Sequence, residues 1–251
     1  MPRYFIEVFY KGTAYSGFQI QQNANSIQAE IEKSLQIFFK TVFTLTGSSR
    51  TDSGVHALSN YFHFDCGLFD SFNPARFEKV VYNLNAILPG DIVIKKIYPV
   101  ADDAHCRFDA VAREYKYYIY QHKDPFNADR AYYYPYHLDI KVLNEAAAEL
   151  MLHNDFTSFS KRNTQVGSFN CTILKSEWQV EQNLLVYTVV ANRFLRGMVR
   201  GLVGTMLKAG TGKISIGRFR EIIEGKDGSK ADFSVPPQGL FLVSVRYPHT
   251  L

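Results

Sequence analysis

Strand-like and helix-like patterns follow one another in the same order twice along this chain, and the repeat restricts the fold more than any other feature. In the first half, the order strand-helix-strand-strand-helix-strand covers residues 3–12, 26–40, 41–47, 60–65, 73–88 and 92–100. In the second half, the same order with one extra short helix covers 114–123, 139–154, 171–182, 184–192, 194–210, 215–225 and 239–248. The repeat predicts an α+β fold of two pseudo-symmetric ferredoxin-like halves, 1–105 and 106–251. We expect their antiparallel or mixed sheets to be joined and to leave a central cleft.

The two helix patterns of the first half have identifiable caps and apolar faces. Ser26 stands where an N-cap is expected for the first helix. The residues predicted to face the core at helical spacing are Ile27, Ile31, Leu35 and Phe38 in the first helix and Phe77, Val80, Val81, Leu84 and Leu88 in the second. The irregular polar stretch 101–113 follows, and we expect it to run across the cleft.

Composition narrows the class of protein without identifying it. The 251 residues are 46% hydrophobic, which is ample for a buried core and far from the disordered class. A net charge of +4 is compatible with a phosphate-rich partner but is also common among ordinary enzymes. The first strand pattern leaves no room for a signal peptide, and no apolar run approaches the roughly 18 residues of a membrane span. Three widely spaced cysteines predict reduced thiols and a cytoplasmic location.

The stretch GSSRTDSGVHALSNYFHFD (47–65) places Arg50, Asp52 and His56 on a turn just before a strand. Its small residues keep the turn open to a large flat substrate. Gly54 disfavours a helix there and no third ligand has a recognised spacing, so we expect no metal site. A serine hydrolase is disfavoured because the chain lacks a nucleophile elbow. The remaining structural interpretation is that Asp52 caps a turn and pairs with Arg50.

Two further stretches combine aromatic and basic residues. REYKYYIYQHK (113–123) interleaves tyrosines with Arg113, Lys116 and Lys123, and ANRFLRGMVRG (191–201) is expected to place Arg196 and Arg200 on one helix face. Aromatic rings beside basic groups can stack bases and hold phosphates, as RNA-binding surfaces do. The alternative is that the tyrosines are half-buried core and the arginines a solvated helix face.

The segment SRTDSGVHA (49–57) resembles GRTDAGVHA, the signature of the tRNA pseudouridine synthase A family. Further stretches occur in the family's order, so that the resemblance covers essentially the whole chain: 10–35, 85–92, 104–120, 154–160, 194–207 and 239–248. Three residues depart from the family pattern. Ser49 stands where glycine is usual, Ser53 where alanine is usual and Phe18 where tryptophan is usual. None of these departures removes an ionisable group.

The resemblance implies an enzyme that isomerises uridines 38–40 of the tRNA anticodon stem-loop to pseudouridine, as a homodimer and without a cofactor or metal. It implies Asp52 as the nucleophile, with Arg50 and Arg200 as the basic residues beside its carboxylate. Tyr115 corresponds to the family's tyrosine that stacks on the base, and Leu240 to the apolar residue behind the pocket. We expect the phosphate contacts to come from Arg193, Arg196, Lys161 and Arg162.

The main alternative function is a non-catalytic RNA-binding protein on the same fold. Asp52, Arg50 and Tyr115 argue against it, because binding alone does not require that combination. A small-molecule enzyme is less favoured, since neither a phosphate-binding loop nor a dinucleotide fingerprint is present. The sequence leaves open whether Asp52 attacks C6 of the base or the ribose, and how many tRNAs are substrates.

Overall fold

The structure is a computed structural model that describes residues 1–67, 74–161 and 167–248. The chain divides into two compact units. Unit 1 contains Met1–Val111 and Leu242–Leu251, and unit 2 contains Ala112–Phe241.

These units differ from the predicted halves 1–105 and 106–251 in two segments, because 106–111 and the end of the chain belong to unit 1. Tyr247 provides part of the physical reason. Its hydroxyl donates to Cys106 O at 2.5 Å and to Ser48 Oγ at 3.2 Å. Its ring also packs edge-on against Phe5, with the centroids 5.4 Å apart.

Unit 1 has the predicted order of strands and helices. Its elements are β1 (Arg3–Tyr10), α1 (Ile27–Phe39), β2 (Thr46–Gly47), β3 (His56–Asp65), α2 (Pro74–Ile87) and β4 (Ile92–Val100). β1 lies between β4 and β3 and is antiparallel to both, and the short β2 pairs with β3. β2 is shorter than predicted, and β3 begins four residues earlier than predicted.

The two helices of unit 1 pack largely as their apolar spacing predicts. Ser26 Oγ accepts the Ala29 N–H at 3.2 Å, which confirms the predicted cap of α1. The predicted core residues are buried except Phe38 and Val81, which are half-buried. α1 ends at Phe39, and the next residue, Lys40, has a φ of +57° that takes the chain out of the helix.

Unit 2 repeats the order with additions. Its elements are β5 (Ala112–Tyr120), β6 (Tyr132–Tyr133), α3 (Ile140–Glu149), β7 (Ile173–Glu181), β8 (Leu184–Ala191), α4 (Met198–Gly210) and α5 (Ile216–Glu224). The final strand, β9 (Leu240–Arg246), starts in unit 2 and belongs to unit 1 from Leu242 onward. β8 is antiparallel to both β5 and β7, whereas β6 is parallel to β5. The α+β class, the mixed strand directions and the repeated order are therefore confirmed.

The fourth helix begins later than the sequence pattern predicts. We expected a helix from 194, but α4 begins at Met198, after Gly197 with a φ of +74°. Arg196 therefore precedes the helix, and the prediction that Arg196 and Arg200 share one helix face is wrong. The apolar spacing of Leu195 and Met198 fits a helix, but a left-handed residue between them breaks it.

Among the described residues, no helix combines the length and the apolar character that crossing a membrane requires. The three cysteines, Cys66, Cys106 and Cys171, are buried free thiols, as predicted.

Candidate active site

The loop between β2 and β3 carries Arg50 and Asp52, and the buried side-chain amide of Asn60 holds the start of this loop. Asn60 is fully buried on β3. Its Nδ2 donates to Ser49 O at 2.9 Å and to the Tyr10 hydroxyl at 3.1 Å, and its Oδ1 accepts the Ser49 N–H at 3.3 Å. The Tyr10 hydroxyl lies 2.8 Å from Thr51 Oγ1. These contacts fix the Ser49 backbone before Arg50 and the Thr51 side chain after it.

The segment before α1 packs against the other side of this loop. Phe18 N–H donates to Thr51 O at 3.1 Å, and Ser53 Oγ donates to Tyr15 O at 3.0 Å. Gly17 has a φ of +120°, and a Cβ atom on it would lie 3.2 Å from Thr51 O. The close approach of the two backbones therefore depends on glycine at this position.

The residues that depart from the family pattern have contacts of their own. Ser53 supplies the hydroxyl that reaches Tyr15 O, a bond that alanine could not make. Phe18 stacks on Phe62 with ring centroids 4.4 Å apart and an interplanar angle of 12°. Ser49 is buried and bonds to Asn60 through its backbone, which any residue could do. The departures are thus compatible with a well-ordered loop.

Side chains along this loop alternate between the interior and the surface. Ser49 and Thr51 are buried, Arg50 is exposed and Asp52 is half-buried. His56, the third member of the cluster noted in the sequence, is buried, and its Nδ1 accepts the Gly12 N–H at 3.1 Å. The loop therefore leaves the Arg50 guanidinium exposed and Asp52 half-buried, while the histidine supports the backbone. A carboxylate presented in this way can act as a nucleophile or as a base.

The other predicted catalytic residue, Arg200, and the predicted substrate-binding residues Tyr115 and Leu240 lie in unit 2. Tyr115 is half-buried on β5, and its ring makes an edge contact with Phe194, with centroids 4.9 Å apart. Arg200 lies in the first turn of α4, where its Nε donates to Val235 O at 2.8 Å. Leu240 is buried at the start of β9. Arg200 thus holds the segment that leads into β9, and its proposed pairing with Asp52 stays a prediction.

The predicted phosphate-binding residues are partly brought together. Lys161 N–H donates to Arg196 O at 2.9 Å. A Cβ on Gly197 would lie 2.9 Å from Lys161 Cγ, so the lysine stem runs across the turn that precedes α4. Arg196 is exposed and Arg193 is half-buried in the same turn region. Arg162 lies outside the described residues.

Sequence reasoning missed a cavity of about 270 Å³ in unit 1, beside the Asp52 loop. Arg50, Phe18, His105, Arg107 and Phe108 are among the residues that line it. The run HCRF at 105–108, an arginine and a phenylalanine adjacent in a polar connection, was the available signal.

Three potential metal ligands also lie together in unit 1. Donor atoms of His63, His105 and Cys106 lie within 4.8 Å of one another. However, His63 Nδ1 accepts the Cys106 N–H at 3.3 Å, and Cys106 Sγ donates to Thr46 O at 3.1 Å. Burial lowers the pKa of His63 to about 4, with smaller contributions from His105 and Arg3. These contacts favour a hydrogen-bonded cluster that supports the 105–108 turn.

Comparison with known proteins identifies the family that this chain resembles. A family model described as tRNA pseudouridine synthase matches residues 8–109 and 146–248. A tRNA pseudouridine synthase A from Parabacteroides distasonis is 45% identical over 251 residues, covering 100% of this chain and 98% of the relative. One from Bacteroides fragilis is 47% identical over 254 residues, with 100% and 98% covered. One from Staphylococcus aureus strain N315 is 36% identical over 245 residues, with 97% and 90% covered.

Proposed function

Since this chain belongs to the tRNA pseudouridine synthase A family, we propose that it isomerises uridines 38–40 of the tRNA anticodon stem-loop, with Asp52 as the nucleophile. A pseudouridine synthase is an isomerase. The N1–C1′ bond of uridine breaks, a C5–C1′ bond forms, C5 loses its proton, and N1 takes up a proton. Because substrate and product have the same composition and oxidation level, the conversion itself needs no redox cofactor.

The alternation of side chains along the loop is the observation that carries this proposal. Asn60 and Tyr10 hold Ser49 and Thr51 in the interior, while Arg50 between them is exposed and Asp52 after them is half-buried. The arrangement is suited to offering an ionised carboxylate to an incoming base.

The carboxylate has two chemically reasonable routes. It can add to C6 of uracil, or it can attack or deprotonate the ribose, and either route loosens the glycosidic bond. In both, the target uridine must first leave its stack, at a cost of a few kcal/mol. We assign Arg50 to the positive charge beside the Asp52 carboxylate.

Residues of unit 2 complete the proposed machinery. Tyr115 stacks on the reacting base, and its hydroxyl takes part in removing the C5 proton. Arg200 is the second cation for the Asp52 carboxylate, and Leu240 packs behind the base. Lys161, Arg193, Arg196 and Arg162 contact phosphates, and this sets affinity without selecting sequence.

We propose that the protein acts in the cytoplasm as a homodimer. A net charge of +4 is small for a protein that binds the phosphates of a stem-loop. We therefore expect local basic patches from two chains to share the phosphate contacts. Light scattering of the active protein should give the mass of two chains. The mass of a single chain with full activity retained would contradict the dimer.

Incubation with an unmodified tRNA transcript, followed by mapping of pseudouridine positions, tests the proposed function. We expect product at positions 38–40 where these are uridine, and none in a matched transcript with cytidine at those positions. Product at other positions only would overturn the assigned substrate. Tight tRNA binding without any product would instead favour the non-catalytic RNA-binding alternative.

A further inference from the structure

The cavity beside the Asp52 loop has walls from two parts of unit 1. Arg50, Gly47 and Phe18 line one side, and Arg107 and Phe108 line the other. Asp52 is not among the lining residues, although it lies only two positions after Arg50. The cavity is therefore adjacent to the proposed nucleophile and separate from it.

The charges of the lining favour an anion. Arg50 and Arg107 both line the cavity, and both are exposed. No carboxylate is among the lining residues, all of which belong to the part of the chain that the structure describes. Two guanidinium groups on one cavity are a suitable pair for the oxygens of a phosphodiester.

The aromatic ring on the cavity is exposed but held in place. Phe108 is 75% exposed, and its ring centroid lies 4.2 Å from that of His105. His105 Nδ1 accepts the backbone N–H groups of Arg107 and Phe108, at 3.1 and 3.4 Å. The Arg107 guanidinium carbon lies 5.8 Å from the Phe108 ring centroid. An aromatic ring beside a cation is the combination on which unpaired bases of RNA stack.

The opposite wall is equally well supported. Gln28 Nε2 donates to Leu45 O at 2.9 Å, and its Oε1 accepts the Ile20 N–H at 3.3 Å. Phe18, stacked on Phe62, closes the base of this wall. The cavity is thus formed before any ligand arrives, so little binding free energy is spent on ordering it.

We propose that this cavity binds a nucleotide of the tRNA other than the uridine that reacts. Its phosphate would contact Arg50 and Arg107, and its base would stack on Phe108. A volume of about 270 Å³ is larger than a lone phosphate needs, and the exposed Phe108 ring offers a face on which a base can stack. The inference rests on the proposed function, because it takes tRNA as the substrate.

Binding of an unmodified tRNA transcript to two variants tests the proposal. Arg107→Gln should flatten the log–log dependence of affinity on salt concentration by about one unit, because one phosphate contact is lost. Phe108→Ala should weaken binding roughly 5- to 150-fold, the range expected for loss of one base stack. Arg76→Gln is the matched control, since Arg76 is exposed on α2 and lines a different cavity. It should bind as the wild type does.

A second measurement identifies the base. We measure a series of transcripts that each lack one base. For one of them, the affinity for the wild-type protein should be as low as the affinity of intact tRNA for Phe108→Ala. With that transcript, Phe108→Ala should cause no further loss. If the loss caused by Phe108→Ala is the same for every abasic transcript, no base stacks on the ring and the proposal is overturned.

Failure of this proposal is distinguishable from failure of the proposed function. If wild type forms pseudouridine while Arg107→Gln and Phe108→Ala bind tRNA as tightly as Arg76→Gln does, the cavity does not hold RNA and the enzymatic function stands. If the wild type forms no product, the binding measurements still decide the question of the cavity. Melting temperatures equal to that of the wild type would show that the exposed substitutions leave the fold intact.

Discussion

Replacing Asn60 by leucine should separate the role of the Asp52 loop from the general stability of unit 1. Leucine has a similar volume but makes none of the hydrogen bonds that Asn60 makes to Ser49. Loss of a partner by a buried polar group costs about 1–3 kcal/mol, so the two backbone groups of Ser49 give roughly 2–6 kcal/mol in all. For a chain of this size, that corresponds to a melting temperature lower by roughly 4–24 °C.

The same substitution should reduce catalysis beyond its effect on stability. Arg50 and Asp52 follow directly from Ser49, so their backbone loses its fixed position. A displacement of about 1 Å of a catalytic group can cost roughly 100-fold in rate. We therefore expect kcat to fall by about that factor at a temperature where the variant is fully folded.

Asn85→Leu is the matched control for this experiment. Asn85 also makes two hydrogen bonds to a buried backbone, accepting from Ile94 N–H at 2.8 Å and donating to Ile94 O at 2.9 Å, but it lies on α2. It should lower the melting temperature similarly and leave kcat nearly unchanged. Thermal unfolding and single-turnover assays below both transitions measure the two effects. Equal losses of kcat in the two variants would refute the positioning role of Asn60.

Three further predictions concern the tyrosine, the basic turn and the ion pair between Arg220 and Glu149. Tyr115→Phe keeps the ring contact with Phe194 but loses the hydroxyl, so tRNA affinity should persist while the single-turnover rate drops; an unchanged rate would exclude a role for the hydroxyl. Replacing Lys161, Arg193 or Arg196 singly by glutamine should flatten the salt dependence of tRNA binding by about one log–log unit, whereas unchanged slopes for all three would show that this turn does not contact RNA. Arg220 and His153 lower the pKa of Glu149 to about 2 from 4.5, so the stability that this carboxylate contributes is present above pH 4.5 and is lost as the pH falls towards 2. Urea unfolding of Glu149→Gln should therefore depend less on pH in that window than unfolding of the wild type does.

The order of elements could be predicted from the sequence because each half contains long segments of a clear period. The Ser26 cap and the buried faces of α1 and α2 follow from local spacing and were predicted correctly. The start of α4 was not, since Gly197 adopts a left-handed conformation against Lys161, a contact between residues 36 positions apart. Local patterns carry no information about such a contact.

Some features of the site could likewise be predicted from the sequence, and others could not. The chemistry of Arg50 and Asp52 was recognisable from residue types and from the family resemblance, and the exposure of Arg50 agrees with it. The support by Asn60 was not recognisable, because an asparagine within the strand pattern NYFHFD looks like an ordinary polar position. The cavity at Arg107 and Phe108 depends on β2 and the 105–108 turn meeting in three dimensions.

The central claim is that Asp52 is the nucleophile, and release of tritium from C5-labelled uridine in tRNA by Asp52→Asn tests it most directly. Asparagine keeps the size of the side chain but removes the charge and the nucleophilic oxygen, so fold and tRNA affinity should survive. We expect tritium release to fall below detection, because no other carboxylate in the loop can replace Asp52. If Asp52 only caps a turn, the substitution should cost about 1 kcal/mol of stability or less and leave activity measurable. Residual turnover above a few per cent of wild type, in folded protein that binds tRNA, would contradict the account.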